Sequence, residues 1–566
     1  MKTFLRHAGQ IGMLCLLSLA TSLSPHSRAD SGPPAPALAS PIQNPTWAVL
    51  DPLTRLLPID TYAGPTGGTL TLAGGRNEVA DGQIALFAAS RPWRGVRVSF
   101  SDLHGPGKAV IAASALRWRR IASVRTQQPG YQTRYVGLWP DPLLPAAPCD
   151  VDAHGRAFVW IDLRIPPNAK RGYYAGTLTL SGVGEKTQTV PVSLRVWGWT
   201  MPRQSHIRTA FGTGFNGSLP MDDAAVKDAL LAHRLTPTDS VGRPRSVPPA
   251  RPGQAQTWDW ADFDRTMTRR LAQGMTGFAV AFPDQTPDMA QVYQEHLAQK
   301  GWLKYAYVYA ADEPTAEQLP ALNDQLAQYK KAAPRIPLLV TARGYPQALT
   351  HVDIWCPCII PDRTDYFQPA DARREQQRGR ASWWYPAYSS HAPSINLWTD
   401  YPLLDDRIWP WLTWKHDLDG MLYWSVTNWK DVADPLHDAR TFLDANGDGE
   451  LFYPGPQGKT LDSLRLEALR DGMQDYEVFC LLEAGARELN AHSKAPVLAK
   501  QAEGLCAIDN ALITDFKTFN TDPRALLATR TRMSLVLERI VAQLGHQPQI
   551  LDRPRYRPVA TPTPAP

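Results

Sequence analysis

The feature that most constrains the fold is an alternation, from about residue 204 onward, between short apolar runs and helical stretches. This alternation is typical of repeated βα units. The predicted strands cover residues 207–212, 233–238, 276–282, 304–310, 337–342, 352–357, 381–388 and 420–426. Eight strands with intervening helices predict a (β/α)8, TIM-like barrel over residues 204–454.

Two adjacent carboxylates stand at the end of the fourth predicted strand. The run KYAYVYA, residues 304–310, is followed by Ala311, Asp312, Glu313 and Pro314. Barrel enzymes place their active sites at the carboxyl ends of the strands, which is where this pair falls. The alternative is that Asp312 caps the next helix and Glu313 lies in its first turn. Both interpretations are open at this point.

Glycosidic bond hydrolysis is one use for a carboxylate pair. A carboxylic acid protonates the leaving oxygen, and a second carboxylate usually acts from the other side of the sugar, about 5 Å or more away. Sequence neighbours do not easily span that separation. In substrate-assisted hydrolysis the 2-acetamido group of the sugar is the nucleophile instead. The protein then needs one acid and one neighbouring carboxylate that orients the acetamido N–H, and adjacent carboxylates suit this chemistry.

The regions around the barrel have different patterns. Alternating apolar residues in VRVSF, FVWIDLRI, YYAGTLTL and VPVSLRVWGW predict an antiparallel β-sandwich over residues 46–203. A Pro/Ala/Ser-rich linker is predicted over residues 30–45. Helical periodicity predicts a helical region over residues 455–545, followed by a Pro-rich, disordered tail over 546–566.

The N-terminus has the three-part pattern of a secretory signal peptide. Lys2 and Arg6 precede a short apolar run, and small residues suit cleavage before Asp30. The run is too short to span a membrane, and no transmembrane segment is predicted. Removal of residues 1–29, which carry three basic residues, lowers the net charge from +5 to +2. We expect an exported protein, periplasmic or extracellular, with no nucleic-acid partner.

Composition and cysteine usage exclude several other classes. A hydrophobic fraction of 43% and a charged fraction of 20% fit neither a disordered chain nor a membrane bundle. Five cysteines follow the signal peptide, and we predict a disulfide between Cys480 and Cys506 on neighbouring helices. Cys356-Pro-Cys358 lacks a second pair of ligands for zinc. We expect neither a metal nor another cofactor.

Aromatic and polar residues at strand ends are candidates for sugar binding, because Trp stacks on apolar sugar faces and Tyr donates to amide oxygens. We assign substrate binding to the residues that end or follow the fifth, seventh and eighth strands, namely Arg343, Tyr345, Trp384, Tyr385, Trp424, Asn428 and Trp429. Trp383 and Tyr423 are assigned to barrel packing.

Two further polar clusters are interpreted as structural. Residues 444–449, DANGDG, begin like a calcium loop, but Gly455 stands where a bidentate Glu is required, so we predict a glycine-rich turn. The charged residues of the helix after residue 463 are spaced three to five apart. We predict that they form solvent or interdomain ion pairs, and they are Arg465, Glu467, Arg470, Asp471 and Asp475.

Several separated stretches together resemble glycoside hydrolase family 123, whose catalytic domain was formerly domain of unknown function 4091. They are YVYAADEP, VDIWCP, SWWYPAYSS, DGMLYWSVTNW, NGDGELFYPGP and SLRLEALRDGMQDYEVFCLL. Upstream, VWIDLRIPPNAKRGYYAGTLTL and VSLRVWGWTMP resemble the sandwich that precedes the barrel in such proteins. The resemblance spans roughly residues 90–485. Its most specific parts are LRDGMQDYE and the NGDG…YPG stretch.

The resemblance implies an exo-acting, retaining β-N-acetylgalactosaminidase that uses substrate-assisted catalysis. The family's Asp-Glu pair falls on Asp312 and Glu313. Glu313 would be the general acid/base, and Asp312 would hold and polarise the acetamido group. The partner would be a glycan or glycoconjugate substrate.

Two other interpretations stay open. The first is a protein of the same fold that binds or trims a different glycan, with or without catalysis. The second is a two-carboxylate glycosidase that combines Glu313 with Asp400 or Asp284. This second interpretation requires one of those carboxylates to lie across the mouth of the barrel from Glu313.

Overall fold

Residues 37–214, 217, 219–248, 257–280, 287–360 and 367–551 are described by the structure, which is a computed structural model. The predicted signal peptide, residues 30–36 of the predicted linker and residues 552–566 of the predicted tail lie outside the described residues. Asp284 also lies outside them.

The N-terminal region is built from strands, as the alternating apolar pattern predicts. They are β1 (Thr46–Leu50), β2 (Leu70–Arg76), β3 (Val79–Phe87), β4 (Trp93–Phe100), β5 (Leu103–His104), β6 (Val110–Ile111), β7 (Leu116–Arg125), β8 (Leu138–Leu144), β9 (Cys149–Val151), β10 (Arg156–Arg164), β11 (Gly172–Val183) and β12 (Gln188–Thr200). Short 3₁₀ turns lie at Pro106–Lys108 and Ala113–Ala115.

These strands form two sheets over one core. One sheet has the order β1-β3-β10-β7-β8, and the other β2-β12-β11-β4-β9 with β5 and β6 attached to it. Ile84 and Val159 of the first sheet share a buried cluster with Leu178 and Leu194 of the second. The prediction of purely antiparallel pairing is wrong for β2 and β12, which are parallel. After two residues β2 continues into β3 of the other sheet, so no hairpin ties its direction to β12.

The central region alternates strands and helices. The strands are β13 (Arg208–Phe211), β14 (Arg245–Val247), β15 (Thr257–Asp259), β16 (Phe278–Ala279), β17 (Ala306–Asp312), β18 (Leu338–Ala342), β19 (Ile354–Ile359), β20 (Ala381–Pro386) and β21 (Gly420–Tyr423). The helices are α1 (Asp223–Ala232), α2 (Ala261–Ala272), α3 (Pro287–Gln299), α4 (Leu319–Ala332), α5 (Pro369–Gln377) and α6 (Leu403–Lys415). Short 3₁₀ turns lie at Leu303–Tyr305 and Ala316–Gln318.

Seven of these strands form a parallel, nearly closed, barrel-like sheet with the order β13-β21-β20-β19-β18-β17-β16. The predicted second strand, 233–238, is not a strand in this described part of the chain. Its backbone nevertheless connects the two edge strands of the sheet, β13 and β16. Thr238 N donates to Phe211 O of β13 at 2.9 Å, and Ala279 N of β16 donates to Thr238 O at 2.8 Å. Pro237 has no N–H to donate, which interrupts the ladder at this point.

Strand alternation decides which side chains fill the interior of this sheet. Leu339, Cys356, Trp383 and Leu422 share one buried cluster inside it. Their neighbours point to the opposite face, so that Trp384 packs in the outer cluster with residues of α6. The assignment of Trp383 to barrel packing is consistent with its place in the interior cluster.

Small hairpins and three helices complete the described chain. The hairpin strands are β22 (Arg440–Phe442), β23 (Ala445–Asn446), β24 (Tyr453–Pro454) and β25 (Thr460–Leu461), with a 3₁₀ turn at Pro456–Gly458. The helices are α7 (Leu464–Ala491), α8 (Pro496–Cys506) and α9 (Pro523–Leu544). Asp522 caps α9 by accepting from Arg524 N at 3.0 Å. No helix of the described chain has the length and hydropathy needed to cross a membrane.

Helix α7 joins the sandwich to the barrel through buried ion pairs. Arg470 pairs with Asp81 of β3 and with Glu467 one turn earlier in α7. Arg465 pairs with Asp141 of β8 at 2.8 Å, and both side chains are fully buried. The charged residues of this helix are therefore interdomain ion pairs, which is one of the two structural roles that we predicted.

The prediction of a Cys480–Cys506 disulfide is wrong. No disulfide bond joins Cys480 and Cys506, and the other cysteines of the described chain form none either. Helices α7 and α8 do pack together. The Cys506 thiol, however, is directed at the Phe479 carbonyl, with 3.8 Å between sulfur and oxygen.

Candidate active site

The carboxylate pair lies at the carboxyl end of β17, where the backbone departs twice from regular strand geometry. The pairing of β17 with β18 skips Ala310, so a bulge lies between Tyr309 and Ala311. Glu313 then adopts a φ of 41°, in the left-handed region that residues with a Cβ seldom occupy. Both departures interrupt the regular alternation of side chains, so the adjacent carboxylates of Asp312 and Glu313 need not point to opposite faces of the sheet.

Asp312 is exposed, and its partners are two hydroxyl groups. Its Oδ1 accepts from Tyr309 Oη at 3.0 Å and from Thr341 Oγ1 at 2.8 Å. Its Oδ2 makes no hydrogen bond to any residue that the structure describes. The two hydroxyls therefore orient the carboxylate and leave one oxygen available to accept from a ligand.

Glu313 is partly buried and contacts a residue across the mouth of the barrel. Its Oε1 accepts from the hydroxyl of Tyr385. Tyr385 belongs to β20, three strands away from β17 in the sheet, so this contact spans the mouth. The backbone N–H of Glu313 donates to Thr341 O at 3.0 Å, which fixes the residue against β18.

The surroundings of Glu313 favour its protonated form. Burial raises the pKa of the Glu313 carboxyl, the hydrogen bond from Tyr385 opposes this, and the charge of Asp312 raises the pKa further. Burial and the Glu313 charge also raise the pKa of Tyr385 well above its usual value, so that hydroxyl stays a neutral donor. A carboxyl that keeps its proton to higher pH is suited to general acid catalysis.

Trp424 is the second sequence-predicted residue that the structure places at the mouth of the barrel. It directly follows β21, at the carboxyl end of the barrel strands, and it is half-buried. Its indole Nε1 donates to Asp448 Oδ1 at 3.0 Å. Burial raises the pKa of Asp448 to about 6. The centres of the Phe442 and Trp424 rings are 5.2 Å apart, and this contact helps to hold the indole in one orientation.

The DANGDG segment positions this indole. Gly447 and Gly449 have φ values of 88° and 75°, as a glycine-rich turn requires. A Cβ on Gly449 would lie 2.2 Å from the Trp424 ring. The prediction of a glycine-rich turn is therefore confirmed, and the turn lets the backbone approach Trp424 closely.

Trp384 and Tyr345 are not brought to the mouth, so their assignment to substrate binding is corrected. Trp384 lies next to Tyr385 in β20 but points outward, where its buried indole donates to Thr413 of α6 at 2.9 Å. Strand alternation is the physical reason. The hydroxyl of Tyr345 bonds to Ser382 Oγ at 2.6 Å, and its ring packs in the outer cluster.

Asn428 and Trp429 are likewise corrected, because both side chains are fully buried and make their contacts within the protein. The Asn428 amide donates to Thr441 O, and the Trp429 indole donates to Phe452 O at 2.7 Å. The Trp429 ring packs against the sandwich side of the barrel. Arg343 is exposed directly after β18, and its assignment to substrate binding stays a prediction.

Sequence reasoning missed Tyr309 and Thr341, the two partners of Asp312. Tyr309 precedes Asp312 by three residues in the same strand. Thr341 is opposite Asp312 in the register of β17 and β18. A threonine at the end of an otherwise apolar strand, LLVTA, was the available signal.

Asp400 does not have the place that a second catalytic carboxylate requires. Its oxygens accept from the hydroxyl of Tyr131 at 2.9 Å and from the amide of Asn446 at 2.9 Å. Tyr131 belongs to the sandwich region, so Asp400 is used in the contact between that region and the barrel. The pairing of Glu313 with Asp400 loses its support.

Two models of one protein family match the sequence. The glycoside hydrolase 123 catalytic domain matches residues 255–482, and the glycoside hydrolase 123 N-terminal domain matches residues 62–182. Together they cover more than half of the chain, including most of the sandwich strands, the carboxylate pair and the first part of α7. No curated protein matches the sequence.

The fold is similar to that of a solved enzyme. A family 123 glycoside hydrolase from Clostridium perfringens, solved in a study of glycolipid glycan hydrolysis, matches with a TM-score of 0.63 and 14% identity, covering 88% of this chain and 100% of that one. A family 39 glycoside hydrolase from Bacteroides cellulosilyticus matches with a TM-score of 0.32 and 14% identity, covering 63% and 77%. The two family models, with the first structure in agreement, show that the chain belongs to glycoside hydrolase family 123.

Proposed function

We propose that this glycoside hydrolase releases terminal β-linked 2-acetamido sugars, in the manner of a β-N-acetylgalactosaminidase, by retaining, substrate-assisted catalysis. The observation that carries the proposal is the contrast between two neighbours. Glu313 is partly buried and has a raised pKa, whereas Asp312 is exposed, oriented by two hydroxyls, and has one available oxygen. An acid and an acetamido-orienting carboxylate need these two environments.

In the first step Glu313 gives its proton to the glycosidic oxygen as the bond to the anomeric carbon breaks. The carbonyl oxygen of the acetamido group forms the new bond to that carbon, and the N–H of the group donates to Asp312. The developing positive charge lies beside this carboxylate, which stabilises it. The leaving alcohol carries the proton away, and Glu313 is left ionised.

In the second step Glu313 acts as a base and removes a proton from water. The water oxygen attacks the anomeric carbon from the side that the alcohol left, and the bond to the acetamido oxygen breaks. The sugar leaves with its original configuration, and Glu313 regains its proton. Trp424 provides a flat surface for the apolar face of the sugar. Glycolipid glycans, which the study of the Clostridium enzyme concerns, are suitable natural substrates to try.

The test is hydrolysis of chromogenic β-N-acetylgalactosaminide, β-N-acetylglucosaminide and β-galactoside by the purified chain. We expect release from acetamido substrates alone, and losses of at least about a hundredfold in Glu313→Gln and Asp312→Asn. Glu317→Gln, an exposed neighbour, is the control and should stay active.

Other outcomes favour the other interpretations. Hydrolysis of the plain galactoside that survives Asp312→Asn would contradict acetamido participation and favour a two-carboxylate mechanism. Absence of hydrolysis on all three substrates, with retained binding of the free sugars, would favour a glycan-binding role.

We also propose that the protein is exported, on the evidence of the charged, apolar and small-residue segments of residues 1–29. Expression of the full chain in a bacterium should give a mature protein that begins at Asp30 and is found outside the cytoplasm. Mass spectrometry of fractionated cells measures this. An uncleaved chain in the cytoplasm would contradict the proposal.

A further inference from the structure

A cavity of about 790 Å³ lies between the sandwich, the barrel and α7. Its described lining includes Arg164 at the end of β10, Arg203 after β12, Arg234 after α1, and Arg470 of α7. Residues that precede β13 and follow α1 lie at the amino ends of the barrel strands. The cavity is therefore at the end of the barrel opposite to Asp312 and Glu313, and it is separate from the candidate active site.

The wall of the cavity carries three arginines, Arg164, Arg203 and Arg234, that form no ion pair with the described residues. Arg164 and Arg203 are exposed, and neither guanidinium makes a hydrogen bond or an ion pair with the described residues. Arg234 donates from Nη2 to Pro202 O at 2.9 Å, but its buried Nε has no hydrogen-bond partner among the residues that the structure describes. An unpaired buried N–H is costly unless a ligand accepts from it.

The acidic residue in the described lining does not offset these charges. Asp228 is held by Arg269 and Arg270 of α2 and accepts from Gln273 at 2.9 Å, so its carboxylate is already used. The arginines also act on one another. Partial burial of the Arg164 side chain and the charges of Arg470 and Arg234 lower its pKa, although the charge of Asp162 opposes this, as expected where like charges face the same space.

We propose that this cavity binds an oxyanion, a sulfate or phosphate group, between Arg164, Arg203 and Arg234. Guanidinium groups bind such oxygens with pairs of charge-assisted hydrogen bonds, and three separate segments of the chain bring these arginines to one cavity. The volume exceeds that of a bare ion and is in the range that holds a sugar carrying the group.

A cation is the competing occupant, because His206, Glu477 and Cys480 place ligand atoms within 4.8 Å of one another beside the same cavity. Both Glu477 oxygens, however, already bond to His206, one to its backbone N at 2.8 Å and one to its Nδ1 at 2.6 Å. The charge of Arg234 also lies close to Glu477 and Cys480. These contacts favour the anion.

Calorimetric titration of the purified chain at low ionic strength tests the proposal, with inorganic sulfate, inorganic phosphate and a sulfated monosaccharide as ligands. We expect saturable binding that weakens at least about tenfold in Arg164→Gln/Arg203→Gln. Both side chains are exposed and unpaired, so the double variant should fold. Arg91→Gln/Arg97→Gln, which makes the same charge change at exposed positions of the sandwich, should bind like the unsubstituted chain.

Tighter binding of the sulfated sugar than of inorganic sulfate would assign the site to a group carried on a glycan, and equal binding would assign it to the free ion. Failure of all three ligands to bind, or equal losses in the two double variants, would overturn the proposal. Zinc binding that survives Arg164→Gln/Arg203→Gln, without anion binding, would also overturn it. Glu313→Gln should bind the anion normally, so the result is independent of the proposed hydrolysis.

Discussion

At the scale of single residues, the candidate site depends on different surroundings for two similar groups. Asp312 and Glu313 are both carboxylic acids, and in a flexible peptide they would titrate in a similar range. The bulge at Ala310 and the φ of 41° at Glu313 direct one carboxylate to the hydroxyls beside β17 and the other to Tyr385. Local backbone geometry thereby gives the two carboxyl groups the different surroundings that the proposed mechanism requires.

The role of Thr341 is testable by removal of its hydroxyl. Thr341→Val deletes the 2.8 Å bond to Asp312, and the less constrained carboxylate should lower kcat/KM on a β-N-acetylgalactosaminide about tenfold to a hundredfold. Thr341→Ser keeps a hydroxyl and should recover most of the activity. Equal activity of the valine and serine variants would contradict the role.

Tyr385 should control the alkaline side of the pH profile. Its hydroxyl favours ionised Glu313 and lowers the pKa of that carboxyl, so Tyr385→Phe raises this pKa further. Glu313 then loses its proton at a higher pH, so the alkaline limb of the kcat/KM profile moves to higher pH. Tyr307→Phe, which removes an unpartnered hydroxyl in the same barrel interior, is the control. An alkaline limb that stays at the same pH or moves to lower pH in Tyr385→Phe would contradict this assignment.

At the scale of elements, α7 has more than one role. Its apolar stripe of Leu466, Leu469 and Met473 is buried as the periodicity predicts, but its charged residues are buried as well. They are tolerated because strands β3 and β8 supply the opposite charges. A helix that is buried around most of its circumference can connect two regions of a protein.

Removal of one partner from this interface should be costly. Arg470→Ala leaves Asp81 and Glu467 buried without their common cation, and we expect a loss of about 3–5 kcal/mol in the free energy of unfolding. Denaturant titration followed by Trp fluorescence measures the loss. Arg539→Ala, on the exposed face of α9, should cost less than about 0.5 kcal/mol. Similar costs for the two variants would show that the network contributes little.

At the scale of the whole molecule, buried carboxyls couple stability to pH. Asp405 in the first turn of α6 is buried, and burial raises its pKa to about 8. Between its unfolded pKa near 4 and this value the folded chain holds one more proton than the unfolded chain, so stability falls as pH rises. The slope from this one group is at most about 1.4 kcal/mol per pH unit.

Asp405→Asn should therefore flatten the stability profile. The asparagine side chain carries no charge at any pH. The melting temperature of the variant should therefore fall less between pH 5 and pH 8 than that of the unsubstituted chain. Thermal unfolding at one-unit steps of pH measures this. Asp431→Asn, at an exposed position, should leave the profile unchanged. Parallel profiles for all three proteins would contradict a buried, protonated Asp405.

The sequence by itself determined the features that depend on local pattern. Apolar alternation predicted the sandwich region, repeated βα units predicted a barrel-like parallel sheet, and a carboxylate pair after an apolar strand predicted the position of Asp312 and Glu313. These predictions succeeded because period and strand order are properties of neighbouring residues. The family resemblance was also carried by short contiguous stretches.

Tertiary structure alone decided which side chains meet. Tyr385 and Trp384 are neighbours in one aromatic run, yet one faces Glu313 and the other faces α6, because a strand sends successive residues to opposite sides. Thr341 reaches Asp312 only through the register of two strands joined by a helix. Arg164, Arg203 and Arg234 share one cavity although up to 70 residues separate them. Such contacts depend on packing between distant segments, which local periodicity does not encode.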